Sequence, residues 1–214
     1  MTDPDRRPYR REAEETRRDA LIAAALDLVS EGGIEAATVR EIAARAGVTP
    51  GLIRHYFQTK EDLLRAAYAR IMERLTVDAA RVLDSTPPDP VARLRAFVAA
   101  SVRHPVLDPV AVSVWASFLH LARRDDALRA AHEAGYLGYR DLLQSLIADL
   151  PRKSAPERLR ADAIACNALI DGLWIEGGLL PEGFAPGELE RIGLTAIGAI
   201  LGVDLAPINQ KETP

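Results

Sequence analysis

An all-α fold is predicted by three features of the 214-residue sequence. Its apolar residues are mainly Ala and Leu with few β-branched clusters, a composition that favours helix. They recur at three- and four-residue spacing in segment after segment, with no strand-like alternation. Pro, Gly and short polar clusters separate these segments at helix-length intervals. The 48% hydrophobic content is enough for a sizeable core in one or two domains. The single cysteine, Cys166, excludes an intrachain disulfide, fits a reducing cytoplasm, and lies in an apolar helical run as an inert buried thiol would. The start, M-T-D-P-D-R-R-P-Y-R-R-E, lacks the apolar centre of a signal peptide, and no apolar run approaches the roughly 18 residues of a membrane span.

Residues 1–12 carry Pro4, Pro8 and the pairs Arg6–Arg7 and Arg10–Arg11. Two readings suit them: a solvated flexible tail, or a basic arm touching phosphate or minor groove. From 13 to 32 the pattern is helical, with Leu21, Ala25, Leu28 and Val29 on one face and Gly32–Gly33 ending it. Thr38 starts the next helix with Glu41 at capping-box spacing, and Val39, Ile42, Ala43 and Ala46 form its apolar stripe. Gly47 follows its end. Thr49 caps a second short helix with Pro50 at its first position, and Val48 and Ile53 are placed for a hydrophobic staple. Two helices joined by a tight glycine-containing turn read as a helix-turn-helix.

Thr59 caps a longer helix from Lys60, with Asp62 near its positive end and Leu63, Leu64, Ala67, Ile71, Leu75 and Val82 along one stripe to about Leu83. T-P-P-D-P at 86–90 is the clearest break. Helices are then predicted at about 90–103, 109–123, 125–150, 156–178 and 186–202, with a flexible tail over 203–214. The domain division is a helix-turn-helix domain over 13–60 and a helical ligand-binding and dimerisation domain over 61–202.

A recognition helix sets its N-terminal residues against base edges while neighbouring groups hold phosphates. With Ile53 and Phe57 turned to the core, Thr49, Pro50, Gly51 and Arg54 remain on the outer side. Arg54 can make two bonds to guanine in the major groove. Gly51 lets the helix backbone approach DNA closely. Thr38, Thr49, His55, Tyr56 and Lys60 can donate to phosphate oxygens. Bulk attraction does not drive this binding: net charge is −4, and the first 65 residues hold 11 Lys and Arg against 12 Asp and Glu. Specific placement of a few cations must do so.

The run E-I-A-A-R-A-G-V-T-P-G-L-I-R-H-Y-F-Q-T-K-E-D-L, extended back through A-L-I-A-A-A-L-D-L-V-S-E-G-G-I-E-A-A-T, closely resembles the DNA-binding segment of the TetR family of transcriptional regulators over residues about 17 to 65. The resemblance implies backbone contacts from Thr38, Thr49, Gly51, His55, Tyr56 and Lys60, with Arg54 near the bases. Many relatives read Y-x-H-F or Y-Y-H-F where this chain has R-H-Y-F, so the order of His and Tyr is altered.

In the second domain, Asn167, Asp171 and Trp174 fall at i, i+4 and i+7 of one helix, with Ile164 and Gly178 continuing the line. Two polar groups and an indole on an apolar helix suit a ligand-pocket wall, to which Trp115, Phe118, Tyr136 and Tyr139 could add; ordinary core is the alternative. A-L-I-D-G-L-W-I resembles the C-terminal domain of BetI-type TetR regulators, which are associated with choline and betaine metabolism. In the last helix Leu189, Ile192, Ala196, Ile197 and Ile200 spread over more than one face, with Gly193 and Gly198 allowing close approach. The resemblance implies that helices 156–178 and 186–202 pair with their twofold mates.

The expected protein is therefore a cytoplasmic, ligand-responsive repressor that binds a double-stranded, palindromic DNA operator as a homodimer and responds to a small-molecule effector. A transcriptional activator of the same fold and a helical protein-binding adaptor are the alternatives. No catalytic residue, metal site or cofactor is expected, because the sequence has no phosphate-binding glycine loop, clustered His/Cys set or serine-nucleophile signature.

Overall fold

The computed structural model describes residues 6–152 and 154–206, with residues 6–13 described by their backbone only. Among the described residues there are nine α-helices and no strand: α1 Arg6–Ala36, α2 Val39–Arg45, α3 Pro50–Tyr56, α4 Lys60–Ala80, α5 Pro90–Ser101, α6 Pro109–Ala122, α7 Asp126–Ala148, α8 Pro156–Leu179 and α9 Glu188–Leu201. None of them is long and apolar enough to cross a membrane. A 3₁₀ turn over Arg81–Asp84 finishes α4. The chain packs as two compact units. One reaches to Ile71 and takes in Val114–His132; the other holds Met72–Ser113 and continues from Glu133.

In the first unit α1 begins at Arg6, within the stretch expected as a tail, because R-R-E-A-E-E-T-R-R is rich in good helix formers. The expected tail residues 1–5 and 207–214 lie outside the described residues. Gly32 and Gly33 leave helical geometry and break α1 before one last turn. The predicted face of α1 is the buried one: Leu21, Ala25 and Val29 have no exposed surface, and Leu28 is nearly as enclosed. Against it pack α2 and, through α2, α3. Arg70 pairs with Asp19 at 2.7 Å, and Arg45 holds Glu31 through two bonds of 2.9 and 2.8 Å.

Residues 114–132 complete this unit. Tyr68 of α4 is fully buried, stacks on Phe118 at 4.9 Å and bonds His132 Nδ1 at 2.8 Å. Asp125 caps α7, accepting from the Ala127 and Leu128 amides at 3.0 Å, and also accepts two charge-assisted bonds from Arg65. The guanidinium holds the Asp125 carboxyl below its usual range.

In the second unit α8 packs on α9, and α5 packs on both. Leu94, Phe97, Leu143, Ile147, Ala163, Cys166, Leu194 and Ile197 form its interior. Burial pushes the Cys166 thiol up to about 12, as expected of an inert thiol. Gly193 and Gly198 are used in this intrachain packing. A Cβ at Gly193 would press to 3.2 Å from Leu173, and one at Gly198 would come within 2.7 Å of the Val203 carbonyl. The chain past α9 folds back: Leu205, expected in a flexible tail, is 1% exposed and its carbonyl accepts from Arg95.

One buried carboxylate ties the ends of α8 and α9 together. Asp162 takes Arg152 on one oxygen at 2.7 Å and Arg158 on the other at 2.8 Å, and the same two arginines reach the Leu201 and Ile200 carbonyls. Its side chain is 4% exposed, so removing it leaves Arg152 without its counter-charge in a largely enclosed site. Asp162→Ala is expected to destabilise the protein by roughly 3 kcal/mol, read as a lower urea midpoint at unchanged slope; an unchanged midpoint would show that the arginines find water instead.

Candidate functional site

Two seven-residue helices cannot persist in isolation, so α2 and α3 depend on their caps and on burial. Thr38 Oγ1 accepts from the Glu41 amide at 3.2 Å, as the capping spacing predicts. Its own amide donates to Ala36 O at 2.9 Å, so the reciprocal half of the box is taken by the preceding turn. At the other end Gly47 adopts φ 66°, and the Val48 and Gly47 amides bond the Ala43 and Ala44 carbonyls, a Schellman closure that sets the angle between the helices. Thr49 holds the N-cap position in extended geometry, but its hydroxyl makes no bond to the helix, contrary to the predicted side-chain cap. Pro50 at the first position leaves the helix one orphan amide fewer, and the Leu52 amide donates to the Thr49 carbonyl at 3.0 Å.

Burial then orients α3. Ile53 and Phe57 are enclosed, and Arg18 lies 5.1 Å above the Phe57 ring. Thr49, Pro50, Gly51, Arg54 and His55 are left exposed, as is Thr38. A Cβ at Gly51 would meet nothing within 4 Å, so no intrachain packing requires glycine there. Tyr56 and Lys60 are half-buried, and Tyr56 takes the His55 ring edge-on at 5.1 Å. Thr59 and Asp62 cap α4 reciprocally at 3.1 Å, and the Thr59 hydroxyl holds the Asp62 carboxyl below its usual range. Lys60 therefore opens a helix at its positive end, where an added anion is favoured. Sequence reasoning passed over Arg40, an exposed cation two residues beyond Thr38 on α2. The signal available was its place at the start of the first helix of the motif.

The seven candidate ligand residues divide between the two units. Trp115, half-buried, and Phe118, packed on Tyr68, belong to the first. In the second, Asn167 is 1% exposed and its Nδ2 donates to Tyr136 Oη and to Asp171 Oδ2, each at 2.8 Å. Asn167 Oδ1 is buried without a hydrogen-bond partner among the described residues. Tyr139 Oη donates to Ser101 Oγ at 2.5 Å, and its ring tilts against Phe97. Trp174 is buried with its indole N–H on the Val106 carbonyl at 2.8 Å, an anchoring role within the core. Ile164, predicted to continue that line, is exposed.

Burial pushes the Asp171 carboxyl up to about 6, offset only in part by Tyr136. Burial and the Asp171 carboxylate together raise the Tyr136 hydroxyl. A carboxyl raised in the folded state costs stability once ionised. That cost is fully present above about pH 6 and vanishes as pH falls toward the unfolded value near 4. Asp171→Asn is accordingly expected to stabilise the protein at pH 7.5 by on the order of 1–2 kcal/mol, with the gain fading by pH 4.5 in thermal melts. A gain that persists at pH 4.5 would assign the effect to something other than ionisation.

An exposed apolar strip lies elsewhere on the second unit. Ala161, Ala165, Ala168, Gly172 and Leu179 recur along α8 at three-, four- and seven-residue spacing and are all exposed. On α9, Ile192, Ala196 and Ile200 are half-buried and Ala199 is exposed.

Comparisons with known proteins bear on both units. Residues 21–67 match the family described as bacterial regulatory proteins, TetR family, and residues 90–202 match the BetI-type transcriptional repressor C-terminal family. The HTH-type transcriptional regulator BetI of Burkholderia thailandensis is 33% identical over 165 residues, 77% of this chain and 83% of the relative. A crystal structure from Pseudomonas aeruginosa PAO1 superimposes with a TM-score of 0.77 at 32% identity, covering 88% of this chain and 92% of that one. A transcriptional regulator from Rhodococcus sp. RHA1 follows at 0.73 and 27%, covering 89% and 99%. With two family matches that between them span most of its helices, the chain belongs to the TetR family of bacterial transcriptional regulators and carries a BetI-type C-terminal domain.

Proposed function

We propose that this regulator is a cytoplasmic repressor that binds a palindromic operator as a homodimer and leaves it when a small molecule occupies the second domain, here taken as residues 61–202 beyond a DNA-binding domain of 13–60. The observation that carries the DNA reading is the outward face of α3. Thr49, Gly51 and Arg54 are exposed because Ile53 and Phe57 are buried, and Arg54 has no ion-pair partner among the described residues. In this reading Arg54 contacts base edges, while Thr38, Thr49, His55, Tyr56 and Lys60, with Arg40, hold phosphates and Gly51 permits close approach. The apolar strip on α8 and α9 supports the dimer, since a face of Ala, Gly, Ile and Leu gains by being covered. Two copies would set their recognition helices roughly 34–36 Å apart, one turn of DNA.

Release follows from differential affinity. A ligand that binds the arrangement with unsuitable helix spacing more tightly shifts the population off DNA. The Asn167–Tyr136–Asp171 cluster is our candidate for its polar recognition, with Tyr139 and Trp174 as further structure of the same unit.

Selection of bound DNA from a random library tests the central reading, and sequence-independent or absent binding defeats it. On the selected operator, Arg54→Ala is expected to weaken binding by about 1–3 kcal/mol and relax base preference at one position per half-site; unchanged affinity at fixed salt removes Arg54 from base reading. Ala168→Glu places a charge in the apolar strip. It is expected to give a folded monomer by sedimentation at micromolar concentration with operator binding lost; a dimer that survives it would move the interface elsewhere.

A further inference from the structure

The cluster on α7 and α8 leaves one acceptor and one charge unmatched. Asn167 spends its amide donors on Tyr136 and Asp171, which leaves its Oδ1 buried with no partner. A buried acceptor without a donor costs free energy that a ligand's N–H or O–H could recover. Asp171 carries a carboxylate in a partly desolvated place, and no cation pairs with it among the described residues. Tyr136 and Asp171 are both partly exposed and form the solvent side of the cluster, above the buried Asn167. The titratable and charged groups facing Asp171 are Tyr136 and Tyr139 on α7; Arg140, further along α7, acts on Tyr136.

From this juxtaposition we infer that the effector presents a protonated primary or secondary amine, giving an N–H to Asn167 Oδ1 and its charge to Asp171. This rests on the ligand-responsive reading above and adds the chemical class. An ammonium ion with N–H groups satisfies both defects of the site at once, the orphaned acceptor and the uncompensated carboxylate. A tetraalkylammonium group has charge but no N–H and would leave Asn167 Oδ1 as it is. A neutral alcohol has a donor but leaves Asp171 unpaired. Because the charge partner must be ionised, amine affinity should fall as pH drops below about 6, by up to about tenfold per unit.

The test uses the full chain and a panel of straight-chain alkylammonium ions from butyl to octyl, with the matched alkyltrimethylammonium ions and alkanols. Thermal shift and calorimetry report binding, and displacement from the selected operator reports function. The expected result is binding by the primary ammonium members alone, at least about tenfold weaker in Asp171→Asn and in Asn167→Leu. Asp171→Asn, which should fold at least as well as the parent, keeps the test decisive if Asn167→Leu does not fold. Equal binding by the trimethylammonium series, binding only by alkanols, no binding by any member, or amine binding unchanged in Asp171→Asn each overturns the inference. A chemically diverse library run in the operator assay separates the two levels. If a non-amine releases the operator, the amine inference falls and the ligand-responsive reading stands; if no compound of any class does so, that reading falls too.

Discussion

The DNA-facing half of this protein depends on the burial of four side chains on helices too short to stand alone. Ile42 and Ala43 on α2, with Ile53 and Phe57 at the end of α3, are enclosed in the unit built on Leu21, Ala25, Leu28 and Val29 of α1. A seven-residue helix in water is marginal or absent, so tertiary burial supplies most of its stability. The same burial fixes rotation about the helix axis. Once Ile53 and Phe57 point inward, the 3.6-residue repeat leaves Thr49, Gly51 and Arg54 outside. The outward face of α3 is thus what remains of that helix after its core contacts are made.

This accounts for which parts were legible in the sequence. Periodicity and end signals carry local information, and the helices, the Schellman turn at Gly47 and the buried stripe of α1 all follow from it. Contacts distant in sequence leave no such trace. Nothing local announces that Arg65 will bond Asp125, or that residues 114–132 pack with the first unit. Periodicity also cannot tell which surface a helix offers to which neighbour. Nothing in the apolar stretch around Gly193 and Gly198 announces that their neighbours within the chain are Leu173 and the Val203 carbonyl. Spacing sets Trp174 seven residues beyond Asn167, but nothing local announces that its indole N–H bonds the Val106 carbonyl, 68 residues earlier. In the candidate ligand cluster the Asn167–Asp171 pair is readable from i, i+4 spacing, whereas the bonds from Asn167 to Tyr136 and from Tyr139 to Ser101 join different helices and leave no local trace.

Two acids of α8, one buried and one partly exposed, show how differently a carboxylate can be set in one unit. Asp162 has both oxygens occupied by arginines and serves to join helix ends. Asp171, nine residues on, has an amide and a phenol for company and no cation, so burial raises its affinity for a proton. Fully compensated charge is the arrangement expected of structure; under-compensated charge beside an orphaned acceptor is a cost that function can explain.

The division of the chain has a consequence for its biogenesis. The unit that carries the DNA-facing helices is discontinuous: it needs Val114–His132 as well as the residues up to Ile71, since Tyr68 is covered by Phe118 and bonded to His132. On a ribosome, which delivers the chain from its N-terminus, that unit still lacks Phe118 and His132 when α3 emerges. It must wait until α6 and the start of α7 have been made, by which time α5, a member of the other unit, is already outside. The two units are therefore interleaved in time, and no cut in a loop after α3 yields a DNA-facing unit with all its own parts.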